Sequence, residues 1–134
     1  MNLDNVLEQL VQDEGFRGMP YLDHLGKPTI GIGTLLPITV EEAKILLQYR
    51  LKAKIDELYS KEVWIGSLPE EAQEILINMC YQLGVNGLLK FKKMLSALKV
   101  EDFKEAAKEG LDSKWAKQTP SRANRLMEQL ANIS

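Results

Sequence analysis

Between Gly18 and Gly33 the chain places Gly18, Pro20, Gly26, Pro28, Gly31 and Gly33 within sixteen residues, and no helix survives that density of breakers. Tyr21, Thr29, Ile30 and Ile32, interleaved with them, favour strands, and Asp23-His24-Leu25-Gly26 has the Asp-first, Gly-last pattern of a turn. On both sides the apolar period is helical. A small antiparallel sheet of short strands set among helices makes the chain α+β and mostly helical.

The helix before this stretch is predicted at about residues 3–14. Leu3, Val6, Leu7, Leu10 and Val11 form one stripe, Asn2 can cap the start, and Gly15 suits the C-terminal cap, so Glu14 falls in the last turn. After the sheet, Thr39-Val40-Glu41-Glu42 reads as a capping box. The stripe Val40, Ala43, Leu47, Leu51, Ile55, Leu58 carries a long bridging helix over about 40–59. Ser67-Leu68-Pro69-Glu70 repeats the box, with Pro in the first turn. It opens a helix that is apolar nearly all round, the buried centre of a bundle, stopped at Gly84. Shorter helices are predicted near 88–98, 101–109 and 112–116, then a last one capped by Thr119 with Pro120 at its first position.

A length of 134 residues fits one domain, 1–134. Within it the expected parts are a β lobe over 13–36, the bridging helix over 39–60 and a helical lobe over 67–134. A net charge of −2 argues against binding nucleic acid through bulk electrostatics. Lys90–Lys99 and Lys114–Arg125 each hold four basic residues and no acids, and each reads as a solvated basic face. Cys80, the single cysteine, sits in an apolar run and is expected as a small core side chain. With His24 it is too few ligands for zinc, so neither metal nor cofactor is expected. Asp4 and Glu8 leave no signal peptide at the N-terminus, and no apolar run reaches the length of a membrane span. The expected product is cytoplasmic and monomeric, without stable membrane insertion.

Eight residues separate Glu14 from Asp23, and five more lead to Thr29. Cleaving a glycosidic bond takes a proton donor for the leaving oxygen and a second carboxylate to activate water or attack. Glu14, at a helix end and followed by Phe16, is expected to be partly desolvated. Asp23, on a turn near Lys27, is expected to stay ionised, and Thr29 can place the water. Spacing alone leaves the bland reading open, in which the acids are solvated surface charges and Thr29 a strand residue.

Glu14-Gly15-Phe16-Arg17, then Tyr21-Leu22-Asp23, then Thr29-Ile30-Gly31-Ile32-Gly33 resembles the phage-type lysozymes (glycoside hydrolase family 24), most closely the T-even-type muramidases. Two later blocks match in order: Ile77-Asn78-Met79 with Tyr81-Gln82-Leu83-Gly84 and Phe91, then Lys114-Trp115 with Gln118-Thr119-Pro120 and Arg122-Ala123. The resemblance implies a lysozyme-like fold and hydrolysis of the β-1,4 bond between N-acetylmuramic acid and N-acetylglucosamine in bacterial peptidoglycan, with inversion. It makes Glu14 the general acid, Asp23 the base or electrostatic partner and Thr29 the residue that places the water. Gln82, Gln118 and Thr119 would bind glycan, Arg122 would pair with Glu14, and Asn78 would support Arg122. Trp115 either stacks on a sugar or packs in the core, and packing is favoured. The implied role is that of an endolysin, waiting in the host cytoplasm for a holin and released to the wall at lysis.

There are departures. Thr34 stands where the family's nearest pattern has a histidine, the stretch between Leu36 and Ser67 is shorter, and the last helix ends soon after Leu130. Three other readings compete. A lytic transglycosylase needs one acid and has no use for Asp23 with Thr29. A non-catalytic wall-binding or virion module needs none of the three. A helical interaction domain leaves the three matched blocks unexplained.

Overall fold

A computed structural model describes residues 1–134, which divide into two compact units, Met1–Leu47 and Gln48–Ser134. The first opens with α1 (Leu3–Glu14). Asn2 accepts the Asn5 N–H at its start, and Gly15, at φ 69°, ends it with its N–H donated to the Val11 carbonyl. The predicted boundaries hold because both caps are local chemistry. The stripe Leu3, Leu7, Leu10, Val11 lies on one face, but α1 has no buried residue.

The breaker-rich stretch forms β1 (Arg17–Leu22), β2 (Pro28–Gly31) and β3 (Thr34–Leu35), antiparallel in the order β1-β2-β3. Tyr21 and Leu35 flank Thr29 on the central strand. The register shifts between Arg17 and Tyr21, an irregularity suited to the Gly18-Met19-Pro20 sequence it spans. Arg17 nevertheless reaches back over the Tyr21 ring, 4.5 Å from its centroid. Gly31 and Gly33 have positive φ, at 72° and 64°, and turn β2 into β3.

Helix α2 (Val40–Lys61) is shared by the two units. Its capping box forms as predicted: Glu42 N–H donates to Thr39 Oγ1 at 3.2 Å and Thr39 N–H to Glu42 Oε1 at 2.9 Å. The second box does not form. Ser67 is taken into a 3₁₀ turn, Val63–Ser67, and Pro69 itself becomes the N-cap of α3 (Glu70–Leu89) without any side-chain cap. Proline's fixed φ at the cap, followed by an extended ψ, leaves Ser67 outside the helix it was expected to start.

Gly84, at φ 77°, breaks α3 as its sequence suggests, but the helix resumes at once because Val85 and Leu88 are buried. α4 (Lys92–Lys99), α5 (Phe103–Leu111) and α6 (Lys114–Gln118) follow, each offset from the predicted bounds, and then α7 (Pro120–Ala131), which starts at Pro120 as predicted. Thr119 does not cap α7 with its side chain. The core of this unit gathers Leu76, Met79, Leu98, Ala106, Met127 and Leu130, all fully buried, and Cys80 joins them. Gly110 lets α5 and α7 close: a Cβ there would collide with Met127 Sδ. Every buried apolar side chain lies between Leu58 and Leu130, and the only buried side chain in the first unit is that of Thr29.

Candidate functional site

Glu14, Asp23 and Thr29 all belong to the first unit, each held by a different local device. Glu14 is the last residue of α1, and its carboxylate lies against Gly33: a Cβ built on Gly33 would be 2.8 Å from Glu14 Oε2. Only glycine suits that place, on grounds of both space and φ. Glu14 is exposed, contrary to the expected desolvation. Phe16 turns away over Gly18 and is itself 73% exposed, so it contributes no apolar cover to the carboxylate.

Asp23 follows β1 and closes the hairpin. Its Oδ1 accepts the N–H groups of Leu25 at 2.9 Å and Lys27 at 2.8 Å, an Asx-type turn, while Gly26 donates to its carbonyl. The Lys27 N–H is the main reason the carboxyl is held below the ordinary aspartate range; partial burial opposes it, and the Leu25 N–H and the charges of His24 and Lys27 add to it. Asp23 is therefore an ionised carboxylate with one oxygen fixed to backbone and Oδ2 free.

Thr29 is 2% exposed, at the centre of the sheet, and its hydroxyl donates to the Lys27 carbonyl at 2.9 Å. The Asp23 N–H donates to the same carbonyl, also at 2.9 Å. Lys27 thus clamps both residues through its main chain, whereas its sequence suggests only a nearby cation. With its proton committed, the Thr29 oxygen is left as an acceptor.

Asn78, Gln82, Gln118, Thr119 and Arg122 belong to the second unit. Gln82, exposed just before the Gly84 break, accepts the Trp115 indole N–H at 2.9 Å through Oε1, which leaves its NH₂ group free. Trp115 is 4% exposed and packs edge-to-face on Phe91 with ring centroids 6.0 Å apart, so it is a core side chain that also orients a glutamine. Gln118 ends α6 exposed. Thr119 donates its hydroxyl to the Trp115 carbonyl at 3.0 Å, which is why it does not cap α7. Asn78 Oδ1 accepts from both Arg122 Nε, at 2.9 Å, and Nη2, at 2.7 Å, and its carbonyl accepts a third bond at 3.1 Å. That fork fixes the guanidinium plane and leaves Nη1 without a partner in this unit.

Leu83, Phe91, Trp115 and Gln118 line a cavity of about 560 Å³. Lys90, Lys92, Lys93 and Lys114 border it, so the two basic runs of the sequence meet here, and none of these lysines forms an ion pair. No cluster of three His, Cys, Asp or Glu side chains has the placement to hold a metal ion. No helix is long and apolar enough to cross a membrane.

The phage lysozyme family model matches residues 11–132. The chain is 33% identical to the pre-baseplate central spike protein Gp5 of Enterobacteria phage T4, over 91% of this chain and 27% of that protein. It is 31% identical to probable T4-type lysozyme 1 of Dictyostelium discoideum, over 93% of this chain and 92% of that protein. For probable T4-type lysozyme 2 of the same organism the identity is 27%, with the same coverage. The chain thus spans about a quarter of the spike protein and nearly all of the two lysozymes.

Proposed function

Since this chain belongs to the phage lysozyme family, and so to the peptidoglycan-cleaving glycoside hydrolases, we propose that it hydrolyses the β-1,4 bond between N-acetylmuramic acid and N-acetylglucosamine, with Glu14, Asp23 and Thr29 as its catalytic residues. The observation that carries this reading is the clamp on Lys27. It holds an ionised Asp23 with Oδ2 free and a Thr29 oxygen able only to accept, the two partners a nucleophilic water needs to donate to. A water held through both its protons presents its lone pair to the anomeric carbon, which favours inversion.

Glu14 supplies the proton to the leaving oxygen. The protonated form of an exposed carboxyl gains when a bound glycan displaces water from it, so substrate completes the acid. Arg122 is held flat by Asn78 with Nη1 left free to donate. Gln82 and Gln118, with amide donors and acceptors, and Thr119 meet sugar hydroxyl and N-acetyl groups. No protein group is asked to form a covalent intermediate, and no cofactor or metal takes part.

The biological role that suits this activity is that of an endolysin. It is held monomeric in the host cytoplasm until a holin opens the membrane, then degrades the wall at lysis. The likeness to a spike protein favours a second role for the same chemistry, local wall opening by a virion component. Digestion of purified peptidoglycan by wild type and Glu14→Gln, with products read by mass spectrometry, tests the activity. Free reducing ends that vanish in the variant support it. Anhydro ends point to a transglycosylase, and an absence of products to a binder.

A further inference from the structure

At the far end of α4 from the cavity beside Trp115 lies a second concave site that the proposed chemistry does not use. Lys92 and Lys93 border the first cavity, whereas Lys99 and Val100 border the second, so the eight residues of α4 separate them by about 12 Å. The second cavity, about 620 Å³, is bounded by Trp64, Ser67, Leu68, Lys99, Val100 and Glu101. We propose that it is a non-catalytic binding site for an N-acetylated amino-sugar strand, a second hold on the wall polymer.

Trp64 is only partly buried, and its indole N–H donates to Glu62 Oε2 at 2.6 Å, which fixes the ring. Its polar edge is therefore satisfied, and what it offers a ligand is a flat apolar face. A hexose ring, apolar on one face and polar around its rim, matches such a face. The Lys99 ammonium stands over the ring, 5.3 Å from the centroid, on a flexible stem that can move aside toward a sugar oxygen.

Glu101 has φ 56°, making it the only non-glycine residue of the chain with positive φ. That conformation is strained for a residue with a side chain. Neither Lys99 nor Glu101 is in an ion pair, although they border the same cavity. One unpaired donor, one unpaired acceptor and the Ser67 hydroxyl around an aromatic face suit the mixed hydroxyl and acetamido groups of the ligand, with the apolar Val100 side chain for the acetamido methyl. The choice of ligand rests on the function proposed above; the existence of the site does not.

The chain has two tryptophans, and each reports one of the two cavities. In a ¹H–¹⁵N spectrum of the full chain titrated with the N-acetylglucosamine tetramer, the Trp64 indole resonance should move saturably. The movement should be lost in Lys99→Ala and reduced in Glu101→Gly, a change that relieves the backbone and so does not endanger folding. Retention of Trp64→Ala on insoluble peptidoglycan should fall roughly 3- to 10-fold, the loss of one aromatic contact, with turnover of short soluble glycans kept. A Trp64 resonance that stays fixed overturns the proposal, whatever the Trp115 resonance does. Failure of the wild type to hydrolyse peptidoglycan bears on the proposed function instead, and leaves a moving Trp64 resonance as evidence for the second site.

Discussion

The carboxylate of Glu14 rests on the Cα of Gly33, with no room for a methyl group between them. Gly31 has a similar φ, 72°, but open space where its Cβ would go. The two glycines therefore separate backbone strain from contact with the acid. Gly33→Ala and Gly31→Ala should each lose on the order of 1 kcal/mol of stability. Only Gly33→Ala should also lose about 100-fold in kcat/KM, because it displaces the Glu14 carboxyl. Equal losses of activity in the two variants would show that the contact does not matter.

Asp23 is held below the ordinary aspartate range mainly by the Lys27 N–H. A carboxylate whose folded pKa is lowered stabilises the fold above its unfolded pKa, and that stabilisation is lost as the pH falls through the folded value. Following the ¹³C shift of the Asp23 carboxyl against pH should give a midpoint below that of aspartate in a short peptide. In Asp23→Asn this part of the acid sensitivity should vanish, together with most of the activity. A midpoint at or above the peptide value would contradict the turn geometry.

Thr29→Val keeps the shape of a buried side chain and removes its hydroxyl. Because the Lys27 carbonyl still accepts from the Asp23 N–H, the stability cost should be modest, about 1 kcal/mol by urea unfolding. Activity should fall at least 100-fold, with Thr29→Ser retaining most of it. A Thr29→Val enzyme as active as Thr29→Ser would remove the hydroxyl from the mechanism.

Asn78→Ala strips Arg122 of its two hydrogen bonds to Asn78 Oδ1, keeps the one to the Asn78 carbonyl, and should cost about 1–3 kcal/mol, the range for bonds to a charged group. If the guanidinium that Asn78 fixes takes part in the reaction, Arg122→Ala and Asn78→Ala should both displace one limb of the pH–rate profile, by which a purely structural loss is told apart. Unchanged limbs in Arg122→Ala would remove the guanidinium from the mechanism.

Features set by neighbouring residues were legible from the sequence. Asn2, Gly15 and the Thr39–Glu42 box mark helix ends through bonds that span three or four residues, and the structure makes them. Ser67 and Thr119 have the same cap pattern, yet their surroundings use them otherwise, one in a 3₁₀ turn and one bonded back to Trp115. Gly84 shows the limit from the other side: a stop by conformation is overridden by the burial of Val85 and Leu88. In the candidate site, side-chain identities were readable because the motif consists of side chains. The role of Lys27 was not, since a main-chain N–H and carbonyl look the same in every residue. The place of Gly33 beneath Glu14 is equally silent, because what matters there is an absent atom.

The buried apolar side chains all fall between Leu58 and Leu130, while the proposed acid, base and water-placing residue fall between Glu14 and Thr29. The apolar core and the three proposed catalytic residues are therefore written in separate tracts of the chain, while the proposed glycan-binding residues Gln82, Gln118 and Thr119 share the later one. In a saturation-mutagenesis library scored for cellular abundance and for wall lysis, low-abundance variants should map to the later tract. Variants that are abundant but impaired in lysis should cluster at Glu14, Asp23 and Thr29 in the earlier tract and at the exposed Gln82 and Gln118 in the later one. A lineage changing hosts could remodel the earlier tract through many single substitutions without first acquiring a stabilising one.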